Sequence, residues 1–198
     1  MREFLKLVEP LRTNGRTVRI VDLGGTAAYW RALPDLYAAS DVEITVLNLD
    51  GEATQDANLL VRHGNACAVE FPDMAFDIVH SNSVIEHVGH WPEMALMAAE
   101  VRRLAPSYFV QTPNAGFPIE PHYKLPFVHW LPEQARISAL KAAGRLPCDM
   151  PADQATLRVQ GICLLGKAQL GTLFPDARIW RERVAGLTKS LVAIRGDR

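Results

Sequence analysis

The stretch Thr17–Trp30 reads TVRIVDLGGTAAYW. Its first seven residues are short, apolar and rich in β-branched side chains, the pattern of a buried strand. Asp22 falls near the strand's end, Gly24 and Gly25 follow, and from Ala27 the composition favours helix. The paired glycines admit two readings. They close a strand-to-helix turn, or they let the backbone approach a bound ligand closely.

The same rhythm continues along the chain. Val42–Leu49 (VEITVLNL) reads as a second strand, 52–62 as a helix and Cys67–Glu70 as a short strand. Phe76–Ser81 (FDIVHS) reads as a central strand. Pro92–Leu104 reads as a helix with Met94, Met97, Ala98, Val101 and Leu104 on one packed face. Tyr108–Thr112 is the next strand. Ala27–Ala39 reads as a helix that Pro34 should kink or divide. Near the end, Lys167–Leu173 reads as a short helix, and Ala177–Val184 and Ser190–Ile194 as two strands joined by a turn at Gly186. Alternating strands and helices imply an α/β fold, an open and mostly parallel sheet with helices on both faces. The terminal pair would supply an antiparallel edge. The segment 113–151 breaks the rhythm: PNAGFPIEPHYKLPFVHWLP is dense in proline and aromatics, and Leu131–Gly144 after it looks helical.

The composition suits one domain over 1–198, with 113–151 as an insertion. Of 198 residues, 48% are hydrophobic, enough for a sizeable core. A formal net charge of −1 gives no electrostatic footprint for nucleic acid. Three cysteines without a CxxC pair argue against a disulfide framework or a structural zinc site, and read as reduced, buried thiols. The first sixteen residues are amphipathic but too charged for a signal peptide, and no apolar run is long enough to span a bilayer. The expectation is a cytoplasmic protein with no membrane partner.

In open α/β sheets, ligands bind beyond the carboxyl ends of the strands, where the strand order reverses. The predicted strand ends carry Asp22–Thr26, Asn48–Asp50, Gly64–Ala66 and Ser81–Ser83, all small or polar. The pattern is not GxGxxG, which counts against NAD, FAD and a dehydrogenase. Asn48 lies about two dozen residues after Gly24, near the spacing at which a second-strand residue meets a ribose. Asp50 could contribute there, or simply turn the chain before Gly51.

Taken together these stretches resemble the class I S-adenosylmethionine-dependent methyltransferases, and most closely the small bacterial methyltransferase-domain proteins of type 11. VDLGGTAAYW is similar to that family's first motif and ITVLNLD to its second-strand motif. GNACAVEFPDMAFDIVHSNSVIEHV resembles its adenine-contacting turn, its fourth-strand entry and its Glu-His-Val helix start. The resemblance implies a Rossmann-like, seven-stranded sheet with the last strand antiparallel, and S-adenosyl-L-methionine as cofactor. It places Asp22, Gly24, Gly25 and Thr26 along the methionine part. It places Asn48 and Leu49 at the ribose and adenine edge, Asn65 and Ala66 at the adenine, and Ser81 and Asn82 under the sulfonium and methionine ends. The paired glycines would then bring backbone against the cofactor. Gly-Gly-Thr stands where Gly-x-Gly is usual, and asparagines stand where acids are usual at 48 and 65.

Methyl transfer from a sulfonium is an in-line displacement that needs alignment and no metal. A hydroxyl or amine acceptor can also need a general base, and histidine suits neutral pH. His87, just after the fourth strand, and His122, in the aromatic insertion, are the expected catalytic residues. The alternative for His87 is a supporting contact at a helix start. His80 reads as a packed strand residue, and His63 and His90 as exposed. The insertion, with His122, Tyr123, Phe127, His129 and Trp130, is either a lid over the acceptor or a small satellite core. Tyr29 could cap the pocket; Trp30 reads as packing. His87, His122 and His129 match no recognised metal-ligand spacing, so no metal is expected. The reading is a methyltransferase acting on O or N of a small-molecule acceptor. Its rival is a module that binds S-adenosylmethionine or its demethylated product and acts through a partner.

Overall fold

The computed structural model describes residues 1–13, 15–51 and 53–196. Ten strands and six α-helices follow in the order α1 (Arg2–Arg12), β1 (Val18–Leu23), α2 (Ala27–Arg31), β2 (Val42–Asn48), β3 (Thr54–Asp56), β4 (Leu59–His63), β5 (Ile78–Asn82), α3 (Trp91–Leu104), β6 (Ser107–Pro113), β7 (Ile119–Glu120), β8 (Leu125–Pro126), α4 (Glu133–Ala142), α5 (Ala152–Gln160), α6 (Lys167–Leu173), β9 (Arg178–Val184) and β10 (Leu187–Arg195). Eight strands form one sheet in the order β3-β4-β2-β1-β5-β6-β10-β9, and β7 pairs with β8 in a separate ribbon. Strands β4, β2, β1, β5 and β6 run parallel, and β10 is antiparallel to both β6 and β9. The order reverses between β1 and β5, so the crevice that can hold a ligand opens at the carboxyl ends of these two strands.

Period-two alternation assigns β1 to two cores. Val21 and Leu23 join the α3 and α6 side with Met94, Met97, Val101, Leu104 and Phe174. Val18 and Ile20 join the α1 and α2 side with Phe4, Val8, Trp30 and Leu36. All five residues expected on the packed face of α3 are buried. The amphipathic N-terminal stretch is α1, which buries Phe4 and Val8 against the sheet.

Four local expectations are corrected. The predicted helix over 52–62 is instead the antiparallel hairpin of β3 and β4, with Glu52 itself outside the described residues. Leu59 and Val61 alternate with exposed Leu60 and Arg62, which is strand periodicity, and Ala57 turns the chain with φ +50°. This hairpin supplies two strands of the sheet, β3 and β4, in place of the one expected at 67–70, which brings the total to eight instead of seven. Residues 67–70 form no strand; Asn65 and Ala68 make a single bridge. The helix expected from Ala27 ends at Arg31, because Pro34 disfavours helical backbone at the residue before it, and Leu33–Ala39 continues in turns. His87 is not at a helix start: it lies in a turn closed by its N–H to the Val84 carbonyl, and α3 begins four residues later.

The insertion after β6 has a core of its own. Val128, Ile137, Leu140, Leu146, Ala155 and Val159 pack together, while Phe127 and Trp130 stay exposed. Of the three free cysteines, Cys148 is exposed and the other two are partly buried, so the expectation of three buried thiols holds for none of them in full. Among the described residues no helix is long and apolar enough to cross a membrane.

Candidate active site

The carboxyl ends of β1, β2 and β4 are laced together by side chains that sequence reasoning assigned to a ligand. Asn48 donates from its amide nitrogen to the carbonyls of Gly24 (3.3 Å) and Gly25 (2.8 Å), and its amide oxygen accepts the Asp50 N–H (2.9 Å). Its own carbonyl accepts the Gly64 N–H at the end of β4 (3.2 Å). Ser81 is buried and donates to the Leu23 carbonyl (3.0 Å). Thr26 caps α2 by accepting the Tyr29 N–H (3.3 Å). Asn65 accepts the Cys67 N–H through its side-chain oxygen (2.9 Å) and is exposed, while Ala66 beside it is buried.

The two glycines have different causes. Gly24 adopts φ +79°, and a Cβ there would also strike the Val84 side chain. A Cβ on Gly25 would fall on the carboxylate of Asp22. That carboxylate is buried at 1% exposure and is the centre of a network: one oxygen accepts the Trp30 indole N–H (2.7 Å) and the other pairs with His80 Nδ1 (2.8 Å). A carboxylate only accepts, so His80 carries its proton on Nδ1 and its Nε2 accepts the Tyr29 hydroxyl (3.2 Å). His80 is fully buried and stacks on Phe109 with an interplanar angle of 1°. Asp22 and His80 are register partners on neighbouring strands, which is why they meet.

Tyr29 ends this relay at a large cavity. The cavity holds about 1250 Å³ and runs along the face of β6, β10 and β9 beside α1, reaching the carboxyl end of β5 at Asn82 and Ser83; Gln111, Asn114 and Phe117 wall it, and Trp180 and Val192 form its floor on β9 and β10. Burial raises the Tyr29 hydroxyl above the ordinary tyrosine range, with a hydrogen bond from Asn82 acting the other way.

His87 and His122, the two residues expected to be catalytic, face each other. Their Nε2 atoms lie 3.0 Å apart, and neither residue lines the large cavity. His122 Nδ1 meets Glu120 (2.6 Å), and His87 Nδ1 meets the Gly161 carbonyl (3.4 Å). The Glu120 contact raises His122 above the ordinary histidine value, while burial, seconded by the charge of His122, lowers His87. Glu86 is fully buried beneath them; one oxygen accepts Thr112 Oγ1 (2.9 Å), and the other has no hydrogen-bond partner. Burial raises its carboxyl. His129 stands apart, with Nε2 on the Ala115 carbonyl (3.1 Å). His63 and His90 are exposed, as read from the sequence.

Residues 21–107 match the family model described as a methyltransferase domain. Among solved structures, the chain is similar to the PH0226 protein of Pyrococcus horikoshii OT3 (16% identity, TM-score 0.52, 100% of this chain and 91% of that one). It is similar to a Haemonchus contortus phosphoethanolamine N-methyltransferase 2 in complex with S-adenosyl-L-methionine (14%, 0.53, 84% and 35%) and to the CurJ carbon methyltransferase (14%, 0.55, 92% and 49%). The chain therefore spans about half of the CurJ protein and about a third of the Haemonchus enzyme. No curated protein matches the sequence. The fold is that of the class I methyltransferases, and 21–107 is the part of the chain that matches the family model.

For S-adenosylmethionine, the cofactor that the sequence resemblance implies, the crevice offers backbone and apolar surface more than side-chain hydrogen bonds. Leu49 is 58% exposed at the end of β2 and offers an apolar surface for the adenosine. The Gly24–Thr26 loop, Asn65 and Asn82 would hold the remainder. Asn48, Ser81 and Thr26 are committed to the protein's own backbone, and Asn48 brings no charge to ribose hydroxyls. Sequence reading missed the roles of Tyr29 and His80 as a pair, and of Glu86 and Glu120. The one visible signal was polar: a histidine inside the apolar run FDIVHS and a carboxylate at the end of TVRIVDL.

Proposed function

We propose that this domain transfers the methyl group of S-adenosylmethionine to an oxygen or nitrogen of a small molecule held in the 1250 Å³ cavity. The supporting observation is the relay Asp22–His80–Tyr29, which joins the loop of the first motif to that cavity. The cofactor supplies an activated methyl on a sulfonium leaving group. The protein's contribution is to orient the acceptor and receive its proton. Tyr29 would take the acceptor's proton on its hydroxyl oxygen. The Tyr29 proton passes to His80 Nε2, and the resulting imidazolium is held by the Asp22 carboxylate, as in other acid–base relays that orient a histidine with an acid. Asn82 and Gln111 on the cavity wall supply amide groups to position the acceptor. His87 and His122, expected from the sequence in the proton-accepting role, are engaged with each other, and the relay serves it better.

The test is transfer of labelled methyl from S-adenosylmethionine to pools of small alcohols, phenols, acids and amines. Once an acceptor is found, Tyr29→Phe should lower kcat by roughly a hundredfold or more, the range of acid–base assistance, with cofactor binding unchanged. Cofactor binding without transfer to any pool would favour a binding module that acts through a partner. Unchanged kcat in Tyr29→Phe would remove the relay from the mechanism.

A further inference from the structure

Glu86, His87 and His122 present three metal-ligating atoms within 4.8 Å of one another. We propose that they form a binding site for a divalent first-row transition metal ion, with zinc(II) the best match.

The first support is proton bookkeeping. Glu120 and the Gly161 carbonyl accept from the Nδ1 atoms of His122 and His87, so both rings carry hydrogen on Nδ1. The two Nε2 atoms, each free of any other hydrogen-bond partner, then face each other across 3.0 Å. That arrangement is repulsive unless a cation lies between or beside the two nitrogens. The second support is independent of the rings. Glu86 is 0% exposed, yet Oε1 has no hydrogen-bond partner and lies 4.0 Å from His122 Nε2. A buried carboxylate oxygen left without a donor is costly, and buried charges ordinarily pair or coordinate metals.

The surroundings are those of a ligand set held from outside. Each ligand's other polar atom is taken: His122 by Glu120, His87 by Gly161 and Glu86 by Thr112. A carboxylate on the far nitrogen of a metal-binding histidine fixes its tautomer and raises its basicity. Two histidines and one glutamate form a known zinc donor set with a fourth position left for water or substrate. Bonds of about 2.0–2.1 Å in a tetrahedron place ligand atoms about 3.4 Å apart. The ring nitrogens are already near that spacing, and Glu86 needs only a small side-chain movement. The sequence could not disclose the site. His87 and Glu86 are neighbours in a turn, His122 is 35 residues away in the insertion, and the spacing follows no local motif.

The experiment uses the whole chain with any purification tag removed, stripped of metal by a chelator, and titrated with cobalt(II) and then zinc(II). One equivalent of cobalt(II) should bind with the visible absorption of a four-coordinate ion, and zinc(II) should displace it. Glu86→Gln keeps the Thr112 contact and shape, and should lower affinity at least tenfold, as should His122→Ala. Glu120→Gln should weaken binding about 10–100-fold through His122, and His63→Gln should change nothing. The proposal fails if no stoichiometric cobalt(II) binds, or if Glu86→Gln and His122→Ala, shown folded by circular dichroism, bind it as the native chain does. A proton shared by the two rings would then be the cation. Neither cofactor nor acceptor is present, so failure here is separate from failure of the proposed transfer.

Discussion

Replacing Gly25 with alanine separates the two reasons a glycine can stand in this loop. If the residue is small only so that a cofactor can approach, Gly25→Ala leaves the stability of the cofactor-free protein intact and reduces affinity alone. In the structure the added Cβ meets the Asp22 carboxylate, not an open crevice. To admit it, the carboxylate must shift and lose its contact with Trp30 Nε1, with His80 Nδ1, or with both. Hydrogen bonds to charged groups contribute about 1.5–3 kcal/mol each. The expected cost is therefore about 2–5 kcal/mol, which for a chain of this size lowers Tm by roughly 5–15 °C.

The assay is urea unfolding without cofactor, carried out as a double-mutant cycle with Asp22→Ala. In the Asp22→Ala background the offending atoms are gone, so Gly25→Ala should cost well under 1 kcal/mol, the ordinary effect of a surface substitution. The coupling between the two changes is the quantity that reports their contact. A native-like midpoint for Gly25→Ala, or the same penalty with and without the Asp22 carboxylate, would refute the reasoning and return the glycine to the cofactor.

Other substitutions probe the scaffold around the site. Asn58 donates to the carbonyls of Leu36, Ala39 and Val42 and accepts the N–H of Ala38, so Asn58→Ala should cost about 2–3 kcal/mol in urea unfolding. Asn48→Asp removes the donor to Gly24 and Gly25 and faces their carbonyls with a carboxylate; it should lower Tm by several degrees, and a gain in both Tm and cofactor affinity would show that the loop is not held as described. Glu100 is held below its ordinary value of 4.5 first by its hydrogen bond to Arg103, which also binds the Val69 and Phe71 carbonyls. A lowered carboxyl contributes stability that is full above 4.5 and is lost as pH falls through the lower native value. Glu100→Gln should therefore flatten the acid limb of the stability profile between pH 5 and 3, as measured by urea midpoints.

The alternating elements from Val18 to Val110, the packed face of α3 and the terminal antiparallel pair were legible because each is written in local periodicity. The β3–β4 hairpin was not. Residues 53–61 (ATQDANLLV) include two alanines and two leucines, good helix formers that hide an alternation only two apolar residues long. The sequence placed the candidate residues at the strand ends but did not disclose the partners of their side chains. Asp22, Gly24, Gly25, Asn48 and Ser81 do gather at the strand ends. Their partners depend on the register of β1 with β5 and on the path of α2, and neither is encoded within a window of neighbouring residues. Glu86 is the extreme case: its significance rests on burial beneath a histidine 36 positions later.

These contacts divide the crevice into two physical regimes. On the β1–β2–β4 side, Asn48 ties together the ends of three strands, and the Gly24 N–H bonds the Leu47 carbonyl, so the Gly24–Gly25 loop is held before anything binds. Preorganisation of that kind lowers the ordering cost of binding and partly offsets the missing carboxylate at the second strand. On the β5–β6 side the wall is built from exposed amides and a tyrosine at the end of a buried relay, with the insertion bordering it through Phe117, Ile119 and Pro121. The insertion packs on a core of its own, separate from the two cores that flank the sheet. His122 is carried by that insertion and Glu86 by the sheet-side turn, so an ion bound between them would fasten the two together. Metal binding should then raise the protection of residues 119–130 against hydrogen exchange while leaving β1 and β5 unchanged. Equal protection with and without zinc(II), in a chain that binds it, would show that the insertion is already fixed.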